Sequence, residues 1–191
     1  MGHTLAAHFL EQQTMDIRFL VPEDIDACVE IDRFNLLCRK PWDVEDFRVR
    51  FKRRTPLLVV LADRNVINAY ATMYVRKDVI MMKRMYAHPD FGAVNAWSFF
   101  APELVHTVRT GSRERVVLNV HERDVDVQLY LQRTFNFACT GAEPERDASK
   151  RLTGDAILTF EYGLDLIDYV QEAIRRIDGT ADVERLLSNV L

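Results

Sequence analysis

Residues 79 to 100, VIMMKRMYAHPDFGAVNAWSFF, carry the clearest chemical signal in the sequence. An apolar strand pattern runs into His88-Pro89-Asp90, a glycine follows at position 92, and an aromatic-rich helical pattern begins directly after it. The first backbone N–H groups of a helix have no partner within the helix and lie at the positive end of its dipole. A strand, turn and helix in this order therefore predict a site for a phosphate or pyrophosphate group.

Composition and charge limit the classes of partner. The 191-residue chain is 48% hydrophobic and 28% charged, which indicates one globular domain of ordinary size with a short extension. Its formal net charge of -4 gives the protein as a whole no attraction for nucleic acid or an anionic membrane. Basic runs occur at residues 48 to 54 and 109 to 115. Such runs most commonly form a solvated surface, and the alternative is that they bind a ligand phosphate.

Cysteine and histidine spacing gives no metal signature. Cys28, Cys38 and Cys139 are odd in number and widely separated, which is typical of reduced thiols. The five histidines show neither HExxH nor paired i, i+4 spacing, so we predict no metal site. No apolar run approaches the roughly 20 residues of a membrane helix, and residues 1 to 14 lack a signal-peptide pattern. We therefore expect a cytoplasmic location.

Alternating and helical hydrophobic patterns divide the chain into short elements. Strands are predicted at residues 15 to 20, 56 to 62, 67 to 75, 79 to 87, 115 to 120, 135 to 139 and 155 to 161. Helices are predicted from residue 22 to about 38, from 42 to 54, between Gly92 and Gly111, and from 125 to about 133. The apolar faces of the first three helices are Ile25, Cys28, Val29, Ile31 and Phe34, then Val44, Phe47 and Phe51, and then Trp97, Phe100, Ala101, Leu104 and Val108. Pro102 should kink the third helix or shift its start, and Asp90 should cap it. Residues 141 to 154 indicate a polar, mobile loop.

These elements predict three parts of the chain: an N-terminal tail at residues 1 to 14, a mixed α/β domain at 15 to 162, and a C-terminal helical extension at 163 to 191. The second to fourth strands have connections too short for crossover helices, which disfavours a doubly wound parallel sheet. The extension carries Leu166, Ile167, Val170 and Ile174 on one helical face. That face either packs on the sheet or forms a homodimer contact.

This order of elements resembles the GNAT superfamily of N-acetyltransferases, especially the branch that acetylates protein N-terminal amines. Four segments carry the resemblance, MYAHPD at residues 85 to 90, LNVHERD at 118 to 124, QLY at 128 to 130 and FNF at 135 to 137. The match covers about residues 15 to 162. It implies a GNAT-like acyl-CoA N-acyltransferase fold, in which helices flank a mixed, predominantly antiparallel sheet.

The resemblance also implies a cofactor and a reaction. Acetyl-CoA would lie where the fourth and fifth strands diverge, and a primary amine, on a protein N-terminus or a small molecule, would attack the thioester directly. Backbone groups of Met85, Tyr86 and Ala87 would pair with the pantetheine and steady the oxyanion. The pyrophosphate would rest on Gly92, Ala93, Val94, Asn95, Ala96 and Trp97. Tyr130 matches the acid that protonates the departing thiolate, and Asp124 stands at the position of a family asparagine.

The sequence departs from the family at several of these positions. Asn95 and Trp97 replace the small residues of the family's phosphate turn; an asparagine can take a left-handed conformation, whereas Trp97 crowds the ligand unless it faces the core. Asn119 replaces a glutamate base, so water or another carboxylate such as Glu122 would be needed. Two functions therefore stay open, an acetyltransferase or a catalytically inactive GNAT-like domain that acts as a binding or assembly module. In the second case Tyr130 is a packing residue.

Overall fold

The computed structural model describes residues 15 to 35, 37, 40 to 53, 56 to 147 and 149 to 163. The predicted N-terminal tail lies outside the described residues, as does the predicted C-terminal extension apart from Gly163. None of the helices in the described ranges is both long and apolar enough to cross a bilayer.

Seven strands and five helical segments alternate along the described residues. In chain order they are β1 (Met15–Phe19), a 3-10 helix (Pro22–Asp24), α1 (Ile25–Phe34), α2 (Val44–Arg53), β2 (Leu57–Asp63), β3 (Val66–Val75), β4 (Val79–Ala87), α3 (Ala93–Arg109), β5 (Arg115–His121), α4 (Val125–Phe135), β6 (Ala138–Arg146) and β7 (Leu152–Gly163). The predicted β4 has the observed bounds, and most other predicted elements differ from the observed ones by a few residues at their ends.

The strands lie in the order β1-β2-β3-β4-β5-β7-β6. The β1–β2, β2–β3, β5–β7 and β6–β7 pairs are antiparallel, whereas β4 and β5 run parallel. The parallel ladder pairs residues 79 to 82 of β4 with residues 115 to 118 of β5. The predicted fold class, a mixed and predominantly antiparallel α/β sheet with flanking helices, is confirmed.

The chain divides into two compact units, each with buried apolar side chains. The first comprises the described residues up to Tyr74 together with residues 83 to 100, and its core includes Ile31, Phe47 and Val60. The second comprises residues 75 to 82 and the described residues from Ala101 onwards. Its fully buried side chains include Val108, Val116, Leu118, Leu131 and Phe160.

Two predicted core positions are wrong. Ile25, Cys28, Val29 and Ile31 are buried as expected, but Phe34 is 57% exposed because α1 ends there, four residues before the predicted end. In α2 the side chain of Phe47 is fully buried, whereas Phe51, one helical turn later, is 38% exposed. Apolar residues at the end of an amphipathic helix keep the helical spacing even where no packing surface continues beneath them.

The helix α3 begins at Ala93 and continues through Pro102 to Arg109. Pro102 therefore does not shift the start of the helix. The predicted stripe is buried, with Trp97 and Phe100 each 2% exposed. Gly111 ends the helix in a left-handed conformation with φ of 72°, and its N–H donates to the Val108 carbonyl oxygen at 2.9 Å.

The predicted mobile loop at residues 141 to 154 is wrong. Most of it belongs to β6 and β7, a long antiparallel hairpin, and the Asp147 N–H donates to the Arg151 carbonyl oxygen at 2.9 Å where the strands meet. In the sheet order β6 is the last strand, and nearly all of its residues are exposed. An edge strand that is solvated on both faces needs no alternation of apolar residues and tolerates Pro144, so the sequence shows no strand pattern there.

Candidate functional site

The turn between β4 and α3 forms a cradle of backbone N–H groups. Gly92 has φ of 84°, a left-handed conformation that glycine adopts without strain, and a Cβ built on it would meet no atom within 4 Å. The N–H groups of Phe91 and Gly92 both donate to the His88 carbonyl oxygen at 3.0 Å. The ring of Phe91 also packs against that of Phe99, with centroids 6.3 Å apart. The chain therefore enters α3 in a fixed conformation.

Three consecutive N–H groups follow this turn without partners. The N–H of Ala96 donates to the Gly92 carbonyl oxygen at 3.2 Å, but those of Ala93, Val94 and Asn95 have no hydrogen-bond acceptor among the described residues. Such groups at the positive end of a 17-residue helix are suited to an anion.

Trp97 and Asn95 replace the small residues of the family's phosphate turn, and the two side chains are placed differently. Trp97 is 2% exposed, so its indole is buried and does not project into solvent. Asn95 is helical, and the left-handed conformation considered for it is found instead at Gly92. The side-chain amide of Asn95 donates to the Phe91 carbonyl oxygen at 2.7 Å, which ties the helix to the turn. Asp90 precedes the helix by three residues and does not cap it.

The last residues of β4 lie immediately before this turn. Met85, Tyr86 and Ala87 follow Met82, where the described ladder with β5 ends. Ala87 is buried, and the side chains of Met85 and Tyr86 are half-buried. The contact predicted for these residues is made by the backbone, which needs no particular side chain.

Tyr130 lies on α4 beside the buried residues Val127 and Leu131. Its ring makes an edge contact with Phe135, with centroids 5.6 Å apart, and its hydroxyl has no hydrogen-bond partner among the described residues. Partial burial raises the pKa of this phenol, which keeps it protonated at neutral pH. A protonated phenol is able to act as an acid, and the role predicted for Tyr130 stays a prediction.

Asp124 precedes α4 at its N-cap position. Desolvation raises the pKa of its carboxyl group, and the nearby charge of Asp126 raises it further. The predicted contact between Asp124 and the cofactor is not tested by this arrangement.

A buried polar cluster in the first unit escaped the sequence analysis. The carboxylate of Asp32 is fully buried and accepts hydrogen bonds from the Tyr70 hydroxyl and, at 2.7 Å, from the Trp42 backbone N–H. Burial, reinforced by Asp32, raises the pKa of Tyr70 well above its usual value. The Arg84 guanidinium lies 3.5 Å from the same carboxylate and donates to the Lys40 carbonyl oxygen at 2.6 Å.

Aromatic rings complete this cluster. The Arg84 guanidinium lies 4.1 Å from the centroid of Trp42 and 5.0 Å from that of Tyr86. Tyr86 therefore has a structural role for its ring in addition to the backbone role predicted for it. The cluster links α1, β3, β4 and the segment before α2, and no local motif could have revealed it because its members come from distant parts of the chain.

A second cluster lies in the other unit, where His121, Glu145 and Asp155 converge from β5, β6 and β7. Their side chains are 7%, 11% and 4% exposed. The Nε2 atom of His121 is 3.6 Å from a Glu145 oxygen and 3.8 Å from an Asp155 oxygen. The Arg123 guanidinium contacts the other oxygen of Asp155. The sequence spacing gave no sign of this group, since each residue comes from a different strand.

The hydrogen bond made by the other ring nitrogen of His121, Nδ1, bears on whether this cluster is a metal site. Nδ1 of His121 accepts a hydrogen bond from the Arg123 backbone N–H at 3.1 Å, so the neutral ring carries its proton on Nε2. A metal-bound imidazole instead keeps its proton on the nitrogen that faces away from the metal. This geometry favours an Nε2–H directed at two carboxylates over a metal centre. The absence of a metal stays a prediction.

Comparison with known proteins supports the fold. No protein-family model matches the sequence, and no curated protein matches it significantly. Among solved structures, the ribosomal-protein-S18-alanine N-acetyltransferase from Escherichia coli superposes with a TM-score of 0.62 at 14% identity, over 78% of this chain and 94% of that chain. The structure of yncA from Salmonella typhimurium with its cofactor acetyl-CoA gives 0.59 at 16% identity, over 78% and 94%.

A third structure, Arabidopsis thaliana NAA60 in complex with a bisubstrate analogue, gives a TM-score of 0.59 at 12% identity, over 78% of this chain and 98% of that chain. At such identities a structural likeness establishes the fold and leaves the chemistry open. The strand order, the β4–turn–α3 unit and these superpositions agree with the resemblance found in the motifs: the chain has the GNAT acyl-CoA N-acyltransferase fold.

Proposed function

We propose that the chain is an acetyl-CoA-dependent N-acetyltransferase that transfers an acetyl group to a primary amine by direct attack. The start of α3 is the observation that carries this proposal. Three adjacent N–H groups at residues 93 to 95 lack acceptors among the described residues, and the open side of Gly92 lies beside them. The indole of Trp97, the bulky replacement in this turn, is buried at 2% exposure, which is compatible with a ligand on the open side of the turn.

In this proposal the backbone does most of the cofactor binding. The N–H groups of Ala93, Val94 and Asn95 hold the pyrophosphate at the positive end of α3. The backbone of Met85, Tyr86 and Ala87 accompanies the pantetheine, and an N–H in this stretch stabilises the oxyanion of the tetrahedral intermediate. Acetyl-CoA, when bound, supplies the activated acyl group.

Two proton transfers remain, one to the departing thiolate and one from the attacking amine. Tyr130, which stays protonated at neutral pH, donates a proton to the departing thiolate. The amine must lose a proton, and the amide of Asn119 cannot accept it. We assign that step to water or to a carboxylate, of which Glu122 is the candidate named by the sequence.

The acceptor in this proposal is a primary amine, with a protein N-terminus as the first class to test. The similar structures include an enzyme named for a ribosomal-protein alanine and one solved with a bisubstrate analogue. A small-molecule amine is the alternative. The expected cytoplasmic location belongs to the same proposal, because acetyl-CoA and N-terminal amines would meet there.

Ligand-dependent melting of the whole chain tests the cofactor step. A ligand at 100 times its Kd stabilises a native protein by about 2.7 kcal/mol, which is roughly 5 to 10 °C in Tm for a chain of this size. We expect a shift of this order with acetyl-CoA. If millimolar acetyl-CoA leaves Tm unchanged, the chain does not bind the cofactor and the proposal fails.

The rival function is a catalytically inactive GNAT-like module, which the replacement of the family glutamate by Asn119 favours. Release of free coenzyme A thiol in the presence of peptides with free α-amines separates the two functions. Binding of acetyl-CoA with no thiol release above the uncatalysed rate, for α-amine peptides and small amines alike, would support the inactive module.

A further inference from the structure

A cavity of about 640 Å³ in the second unit has no part in the proposed acetyl transfer. Two short segments form it, the turn between β3 and β4 and the loop between α3 and β5. The Asp78 carbonyl oxygen accepts hydrogen bonds from the backbone N–H groups of Glu114 at 2.9 Å and Arg115 at 3.2 Å. These bonds fasten the two segments together, so the walls of the cavity are held by backbone contacts.

Cationic side chains outnumber anionic ones around this cavity. The charged side chains that line it are four cations and two acids: Arg76, Lys77, Arg113, Arg115, Asp78 and Glu114. Arg115 is partly neutralised by Glu161 at 3.6 Å. Arg76 and Lys77 have no ion pair or side-chain hydrogen bond with any described residue. Positive charge without a partner lining a concave surface attracts anions.

Arg113 adds a further cation to the lining of the cavity. Its Nη1 donates to the Ser112 carbonyl oxygen, whereas its Nε atom is buried. Guanidinium groups present their N–H donors in a fork that matches the oxygen atoms of phosphate.

We propose that this cavity, lined by Arg76, Lys77, Arg113 and Arg115, binds a small molecule that carries two or more phosphate groups. Its volume lies within the range of small-molecule sites. Arg76 and Lys77 precede β4, Arg113 precedes β5 and Arg115 is the first residue of β5, whereas the proposed coenzyme A turn follows β4, so the two sites use no residue in common. The second site would make the protein responsive to a phosphorylated metabolite in addition to its acyl donor.

Titration calorimetry with inorganic tripolyphosphate tests this site on the full chain at fixed ionic strength, with and without saturating coenzyme A. The double variant Arg76→Ala/Lys77→Ala removes two exposed cations from the cavity. The matched control, Arg48→Ala/Lys52→Ala, removes two exposed cations from another cavity, of about 490 Å³, whose lining acids Asp26 and Glu45 balance them. Because the first variant removes two cationic donors to phosphate oxygens, it should weaken binding by at least about tenfold.

The expected result is binding of one tripolyphosphate in the presence of coenzyme A, weakened by Arg76→Ala/Lys77→Ala and by Arg113→Ala but changed less than twofold by the control. Displacement by coenzyme A, equal weakening by both double variants, or no binding at 1 mM would each overturn the proposal. Comparison of the two double variants tests the second site even if coenzyme A does not bind to the chain. Failure of the acetyltransferase proposal is therefore distinguishable from failure of this one.

Discussion

The start of α3 can be tested by removing a single backbone donor. Val94 is the second residue of the helix, and its N–H has no acceptor among the described residues. Val94→Pro deletes this N–H, and proline is tolerated in the first turn because no intrahelical hydrogen bond is lost there. The variant should therefore fold, with a Tm within a few degrees of the parent.

The expected effect on cofactor binding follows from the number of donors. If the three N–H groups at residues 93 to 95 bind the pyrophosphate, Val94→Pro removes one hydrogen bond to a charged acceptor, worth about 1.5–3 kcal/mol. The Kd for acetyl-CoA should rise about 10- to 150-fold. Val94→Ala is the matched control, because it shortens the same side chain and keeps the N–H.

Calorimetry with acetyl-CoA and with pantetheine, which lacks the pyrophosphate, completes the test. Val94→Pro should weaken acetyl-CoA and leave pantetheine unchanged relative to Val94→Ala. If the folded Val94→Pro protein binds acetyl-CoA as tightly as Val94→Ala does, the N–H groups of α3 do not hold the cofactor. The central inference from the β4–turn–α3 unit would then be wrong.

Three further substitutions probe other parts of the molecule. Tyr130→Phe should lower kcat by about 10²- to 10⁴-fold with no change in the Kd for acetyl-CoA, as steady-state kinetics and calorimetry would measure. Tyr70→Phe should lower the free energy of unfolding by about 1–3 kcal/mol in urea titrations, because it deprives the buried Asp32 carboxylate of a donor. Asp124→Asn should raise Tm at pH 7, since the folded state raises the pKa of this carboxyl and is penalised once it ionises. That gain should vanish near pH 3, where the carboxyl is protonated in both states.

Matched controls exist for each. Tyr74 is an exposed tyrosine on the same strand as Tyr70, so Tyr74→Phe should change neither stability nor kcat. Asp90, whose side chain is 94% exposed, serves as the control for Asp124. An unchanged kcat in Tyr130→Phe would remove that residue from the acid role. A lower Tm for Asp124→Asn at pH 7 would show that the carboxylate is stabilising when ionised.

Local patterns in the sequence predicted the framework of the site well. The bounds of β4, the start of α3 after Gly92 and the burial of Trp97 and Phe100 all follow from apolar periodicity and one glycine. These features depend on residues within one or two turns of each other, and such short-range rules are readable in a single sequence.

Features that depend on long-range packing were beyond the sequence. The β6–β7 hairpin is held by backbone pairing at the sheet edge, so residues 141 to 146 carry no strand pattern. The Asp32 cluster joins residues 38 positions apart, Asp32 and Tyr70, and the convergence of His121 with Glu145 and Asp155 requires three strands to be placed. Only the topology of the sheet brings such groups together.

The departures at Asn95 and Trp97 show how a motif can change while its backbone geometry persists. The left-handed residue that the turn needs is Gly92, which the sequence keeps, so positions 95 and 97 are free to be helical. A residue at position 97 lies on the same helical face as Phe100, Ala101 and Leu104, and an indole there contributes to the core. The family's small side chains are then needed only so that the ligand can approach the backbone closely. In this chain the side chain of Asn95 stands at one of these positions, and its amide donates to the Phe91 carbonyl oxygen. Replacing Asn95 with glycine should therefore lower the Kd for acetyl-CoA measured by calorimetry, and an unchanged Kd would show that this side chain does not crowd the pyrophosphate.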